Sequence, residues 1–246
     1  MRFTFTGCSI TQGVGLDHEK NDPGHYANLV GEAFCADVTN LGKGGHSNHL
    51  IFMSALENIL FDRPDKIFVQ WTALNRWWVY PEPNTEKFMG HTIDDDYRYN
   101  ELFYSREKLQ EVSDIWHSLT HDYKYTFDLI DYCNILEKVC GNETDIIFID
   151  GSLPWTADIV DETALTDFDR YFSDYTKELF NVERRDDEEI RNLFTKMRKK
   201  ILETNPNKWV SQFNCWFRTA IDQGHQRHPG IKSHRMFADQ VISHLG

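Results

Sequence analysis

Short apolar runs bounded by turn signals constrain this fold more than any other feature of the chain. Phe3-Thr4-Phe5-Thr6 runs into Gly7, Lys66-Ile67-Phe68-Val69-Gln70-Trp71 follows Arg63-Pro64-Asp65, and Thr144 to Ile149 runs into Asp150-Gly151. Asp37-Val38-Thr39-Asn40-Leu41 is a weaker fourth run. They are too short for helices. Apolar residues at successive positions, clearest in the second and third runs, predict strands covered on both faces, as in a parallel sheet.

Segments of helical period separate them. His25 to Cys35 places Tyr26, Leu29, Val30 and Phe34 on one face. Ser47 to Phe61 does the same with Leu50, Ile51, Met53, Leu56, Ile59 and Leu60, and Ser47 or Asn48 stands ready as its N-cap. Tyr123–Val139, Asp187–Leu202 and His234–Leu245 pass the same test. Strands alternating with helices predict an α/β fold, a three-layer α/β/α sandwich around a central parallel sheet. No repeat or Gly/Ser/Pro-rich linker divides residues 1–246, so one domain is expected, with insertions at Tyr80–Arg106 and Ser152–Asp186. The Asp94-Asp95-Asp96 run in the first insertion reads as a solvated face rather than a metal site.

Composition removes several partners. There are 26 Lys plus Arg against 39 Asp plus Glu, a net charge of −13. Nucleic acids and anionic membranes need a basic face, so neither is expected. The five cysteines form no C-x-x-C pair, and Met1 leads straight into the first strand without a charged, apolar leader. These features favour reduced thiols and a cytoplasmic location. The most apolar stretch, His49 to Phe61, carries Ser54, Glu57 and Asn58 and is too short to span a bilayer.

In an open parallel sheet, ligands bind at the loops leaving the carboxyl ends of the strands. Three such loops are polar and conspicuous: Gly7-Cys8-Ser9-Ile10-Thr11-Gln12-Gly13, Asn40-Leu41-Gly42-Lys43-Gly44-Gly45-His46-Ser47-Asn48, and Gln70-Trp71-Thr72-Ala73-Leu74-Asn75-Arg76. A fourth segment, Asp222-Gln223-Gly224-His225-Gln226-Arg227-His228-Pro229-Gly230, lies just before the last helix. Serine is a poor nucleophile until a base removes its proton, and a histidine held by a carboxylate is the usual base. Ser9, a histidine of the fourth segment and Asp222 supply those three chemistries.

In chain order these four segments resemble the SGNH hydrolases, the GDSL esterase family, whose fold is flavodoxin-like. Gly7-Cys8-Ser9 stands where the family has Gly-Asp-Ser, and the resemblance implies Ser9 as nucleophile. The Asn40–Asn48 segment resembles the second block, implying that Gly45 gives its amide to an oxyanion hole together with that of Ser9. His228-Pro229, with Ser233-His234 and Ala238 beyond, resembles the last block, where the histidine is the base and an aspartate orients it. His228 with Asp222 is the preferred pair; His225, which keeps the Asp-x-x-His spacing, is the alternative base. The third block departs from Gly-x-Asn-Asp, leaving Asn75 as a shifted oxyanion donor or Thr72 in its place. Asn48, Thr72, Arg76 and Trp77 are the candidates for lining the substrate. The resemblance implies a serine ester hydrolase for a small acyl ester, an O-acetyl carbohydrate among the forms it allows, with no cofactor and no metal.

Plainer roles stand beside these. Ser9 suits a helix cap, Gly45 a turn of positive φ, Asp222 a helix-capping carboxylate and Cys8 a small buried residue. His225, His228 and His234 have no strong zinc spacing. Arg76 suits an ion pair with Glu82, and Trp77-Trp78-Val79-Tyr80 suits either a stacking wall or packing under an insertion. Two other functions use the same segments: a catalytically degenerate SGNH-like domain that binds a glycan or a protein, and a flavodoxin-like nucleotide or flavin binder with Thr6–Gly13 as its phosphate loop. The last lacks both G-x-x-x-x-G-K-[ST] and G-x-G-x-x-G.

Overall fold

The computed structural model of the chain describes residues 1–72, 77–79, 89–91, 122–150, 208–210, 221–224 and 228–246. Its centre is a five-stranded sheet built from β1 (Arg2–Thr6), β2 (Asp37–Asn40), β3 (Lys66–Trp71), β6 (Asp145–Asp150) and β7 (Trp209–Val210). Their spatial order is β2-β1-β3-β6-β7 and every pairing is parallel. A separate antiparallel pair joins β4 (Trp77–Val79) to β5 (Met89–His91).

The continuous apolar runs are explained by what lies on each face. Ile67, Val69, Trp71, Ile146 and Phe148 point to one side, where they pack against Ile51, Phe52, Ala55 and Ile59 of α3 (Asn48–Phe61) and Leu129, Cys133, Leu136 and Cys140 of α4 (Asp122–Cys140). Phe3, Phe5, Phe68, Ile147 and Ile149 point to the other, against Tyr26, Ala27 and Val30 of α2 (Tyr26–Ala33) and Phe237, Ala238 and Val241 of α5 (Ile231–Leu245). Phe5 and Phe68 stack at 4.3 Å across neighbouring strands. With helices on both faces, successive residues of the central strands are buried, and β3 and β6 carry apolar side chains on both sides, while the edge strand β2 stays partly exposed.

The strand order also locates the ligand edge. The chain steps from β1 outward to β2, then crosses back to β3 on the far side of β1. Such a reversal opens a crevice at the carboxyl ends of the two strands between which it occurs, here β1 and β3. Ser9 follows β1 and Thr72 follows β3. Among the described residues no helix is long and apolar enough to cross a membrane. The expected Asp187–Leu202 helix, the Ser152–Asp186 insertion and all of Tyr80–Arg106 except β5 lie outside the described residues.

Candidate active site

Ser9 opens α1 (Ser9–Gln12), a single helical turn that ends at Gly13 in the left-handed conformation, φ 86°. The turn puts Ser9 at the crevice with its side chain on the edge of the buried interior. Cys8 is 3% exposed and packs into the hydrophobic cluster with Ile51 and Val69, its Sγ 4.0 Å from Ser9 Oγ, which suits a structural thiol rather than a nucleophile.

Below Ser9 the turn is fixed by a buried polar chain. Tyr26 Oη donates to Thr11 Oγ1 at 3.1 Å, and Thr11 Oγ1 donates to Gln70 Oε1 of β3. Asn40, at the end of β2, donates from Nδ2 to the Thr11 carbonyl at 2.6 Å while its Oδ1 accepts from Gly42 N at 2.9 Å. One amide thus ties the first loop to the second.

The second loop comes over Ser9. A Cβ placed on Gly44 would lie 3.9 Å from that of Ser9. Gly44 N donates to Gln12 Oε1 at 2.5 Å, and Gln12 Nε2 donates to Glu19 Oε2 at 2.9 Å. Gly45 follows with φ 77°, inside a turn closed by His46 N donating to the Lys43 carbonyl at 3.3 Å. Burial, aided by the Lys43 charge, lowers His46 from its ordinary 6.5 to about 4, so this ring is neutral at pH 7. Ser47 then caps α3, its Oγ accepting from Leu50 N at 3.4 Å.

Asn48 and Thr72 are committed to one another. Asn48 Oδ1 accepts from Thr72 N at 2.7 Å, and Asn48 Nδ2 donates to the Thr72 carbonyl at 3.0 Å. Both residues are buried, at 6% and 1% exposure. The amide acts like a strand partner for the start of the third loop. Asn75 and Arg76 lie outside the described residues, and Trp77 is described only as the first residue of β4.

The fourth segment arrives from the far end of the chain. His228 Nε2 stands 2.9 Å from Ser9 Oγ. His225, the alternative base, lies outside the described residues. The loop from Asp222 to Gly230 is closed at its neck: Gly230 N donates to the Asp222 carbonyl at 3.1 Å, Gly224 N donates to the His228 carbonyl at 2.8 Å, and Gln223 and Pro229 form an antiparallel bridge. Gly224 packs directly on the first loop, where a Cβ would meet the Gly15 carbonyl oxygen at 1.9 Å. Only glycine permits that approach.

Asp222 sits at the base of this loop. Its Oδ2 accepts from Lys232 N at 2.9 Å, and its Oδ1 accepts from Ser233 N at 2.8 Å and Ser233 Oγ at 2.6 Å. Burial pushes its pKa up, but the hydrogen bonds from Ser233 and Lys232 outweigh this and hold it below the ordinary value. Behind the loop, the His25 and His234 rings pack at 4.8 Å with Tyr26 against both. Burial lowers His25 to about 4 and His234 to about 3.

The structure therefore brings Ser9, the Gly44–Gly45 turn, Thr72 and His228 to one crevice, with Asp222 beneath the histidine's loop. Gln12, Asn40, Gly224 and Ser233, which hold the loops together, fall within or beside the four polar segments, but nothing in their local pattern reveals these particular contacts. Among the described residues no group of three His, Cys, Asp or Glu side chains is placed to hold a metal ion.

No family model matches the chain, and no curated protein sequence matches it. Solved structures do. An acetyl-xylooligosaccharide esterase from Geobacillus is similar at 14% identity and TM-score 0.48, over 100% of this chain and 94% of that one. A member of the lipolytic protein G-D-S-L family from Veillonella parvula aligns at 12% identity and TM-score 0.47, over 99% and 97% of the two chains. An acetyl xylan esterase, AlAXEase, aligns at 15% identity and TM-score 0.40, over 99% and 98%. At these identities function is read from the chain's own residues.

Proposed function

We propose that the protein is a serine ester hydrolase, a divergent member of the SGNH hydrolases, with Ser9 as nucleophile and His228 as general base. The observation that carries this reading is the 2.9 Å approach of His228 Nε2 to Ser9 Oγ at the crevice between β1 and β3.

The chemistry follows from that pair. With the neutral ring protonated on Nδ1, Ser9 donates its hydroxyl proton to Nε2 as Oγ attacks the ester carbonyl carbon. The carbonyl oxygen gains the negative charge, and the amides of Ser9 and Gly45 are the donors assigned to it, with Asn75 as a third. Each such donor contributes about 3 kcal/mol to lowering the barrier. His228 then passes its proton to the departing alcohol as the C–O bond breaks, leaving an acyl-serine. Water attacks the acyl carbon, His228 takes the water proton and returns it to Ser9 Oγ, and the acid leaves. Asp222, at the base of the loop, is the residue assigned to keep the imidazole in place. No step calls for a metal or an organic cofactor.

The substrate is read as a small acyl ester, with an O-acetyl group on a carbohydrate as the form the family resemblance implies. Release of 4-nitrophenol from acetyl, butyryl and octanoyl esters tests both statements. Turnover should be fastest on acetate. Release no faster than in buffer from all three would sink the hydrolase reading.

A further inference from the structure

The N-cap of α5 is Gly230, which has no side chain to make a capping hydrogen bond. The first amides of a helix have no partner within it and need an acceptor from elsewhere. Here the acceptor is Asp222, eight residues upstream, whose carboxylate takes the amides of Lys232 and Ser233. Gly230 makes room: a Cβ there would lie 2.7 Å from Asp222 Oδ2. Ser233, 1% exposed, closes the link from the helix side. Its Oγ donates to Asp222 Oδ1 at 2.6 Å and accepts from Ile221 N at 3.1 Å and Asp222 N at 3.2 Å. The two ends of the His228 loop are thus fastened to each other and to a helix whose other residues, Phe237, Ala238 and Val241, are in the core.

We infer that Asp222 and Ser233 form a latch that positions His228 through its loop, with Asp222 acting as the remote cap of α5 and Ser233 as a second positioning residue. The inference rests on the Ser9–His228 reading for its catalytic consequence. The carboxylate oxygens face the helix amides and the Ser233 hydroxyl, so what the site takes from Asp222 is hydrogen-bond acceptors at a fixed place rather than a charge against the ring.

The test uses the full chain with Asp222→Asn, Asp222→Ala and Ser233→Ala, read by 4-nitrophenyl acetate kinetics over pH and by amide hydrogen exchange of residues 222–230. Asparagine keeps the acceptor for Ser233 but sets an amide donor against the Lys232 N–H, so Asp222→Asn should lower kcat by about tenfold and leave the midpoint of the pH–rate profile where it is. Asp222→Ala and Ser233→Ala should lower kcat by roughly 10- to 100-fold with little change in KM, since a displaced base costs that much. Exchange of the loop amides should speed up in both. An aspartate acting directly on the imidazole loses about 10⁴ in kcat as asparagine. A loss of that order with a shifted pH midpoint overturns the latch, as does Ser233→Ala with unchanged kcat and unchanged loop exchange. If the wild type turns over no ester, the hydrolase reading fails on its own. Loop exchange then still decides the latch, which fails if neither Asp222→Ala nor Ser233→Ala changes it.

Discussion

His228 Nε2 meets Ser9 Oγ at 2.9 Å although 219 residues separate the two in sequence. Three contacts make this possible. The first strand delivers Ser9 to the crevice, Gly224 sits on Gly15 just beyond α1, and the neck of the His228 loop is fastened to α5. Each contact can be disturbed singly.

The histidine comes first. His228→Ala should lower kcat toward 4-nitrophenyl acetate by about 10³-fold or more, because serine then has no positioned base. His225→Ala should stay within a few-fold of wild type. Steady-state kinetics on the two variants check this, and a larger loss in His225→Ala would assign the base to the other ring.

Gly224→Ala probes the approach of the two loops. A methyl group would lie 1.9 Å from the Gly15 carbonyl oxygen, backbone that cannot step aside cheaply. Moving the His228 loop by about 1 Å should cost roughly 10- to 100-fold in kcat. Wild-type kcat in this variant would mean that the contact does not place the base.

Asn48→Ala removes the side chain that satisfies both the N–H and the carbonyl of buried Thr72. An unsatisfied buried group costs about 1–3 kcal/mol, so urea unfolding should show a loss of about 2–4 kcal/mol. A change below about 0.5 kcal/mol would contradict the role given to Asn48.

Acid should destabilise the fold through its buried histidines. Burial is the main cause that lowers His25 to about 4 and His234 to about 3, below the 6.5 of an unfolded chain. Between those values the unfolded state binds more protons. The stability due to neutral rings is therefore complete above about pH 6.5 and lost as pH falls toward 4, at up to about 1.4 kcal/mol per pH unit for each ring. Urea midpoints at pH 7, 6 and 5 measure the slope. His25→Asn keeps an acceptor for Ala27 N, which His25 Nδ1 now takes at 3.1 Å, and should flatten it. An unchanged slope in that variant would rule out His25 as a source.

Much of this arrangement was legible in the sequence, and the exceptions have physical reasons. The apolar runs mark β3 and β6 because a strand covered on both faces can be apolar at successive positions, as Ile67-Phe68-Val69 is, whereas β1 fills its second face with the buried Thr4 and Thr6. Ser47 marks the start of α3 because its cap is local. α5 starts at Ile231 rather than His234 because its cap comes from Asp222, which no local pattern reveals. β7 is two residues long and has no run to find, and α2 is capped by His25, a residue seldom read as a cap. Within the site, the residue types of the loops pointed to Ser9 and to a histidine of the fourth segment, and only the family resemblance preferred His228 over His225. Asn48, expected from its place in the second loop to line the substrate, bonds through its amide to the Thr72 backbone, a pairing between segments 24 residues apart.

The central claim is that Ser9 is the nucleophile, and a fluorophosphonate probe tests it most directly. Intact-mass and peptide analysis should find one adduct on wild type, at Ser9, and none on Ser9→Ala with the same thermal midpoint. A folded wild type that takes up no probe, or a Ser9→Ala variant labelled as fast as wild type, would contradict the account.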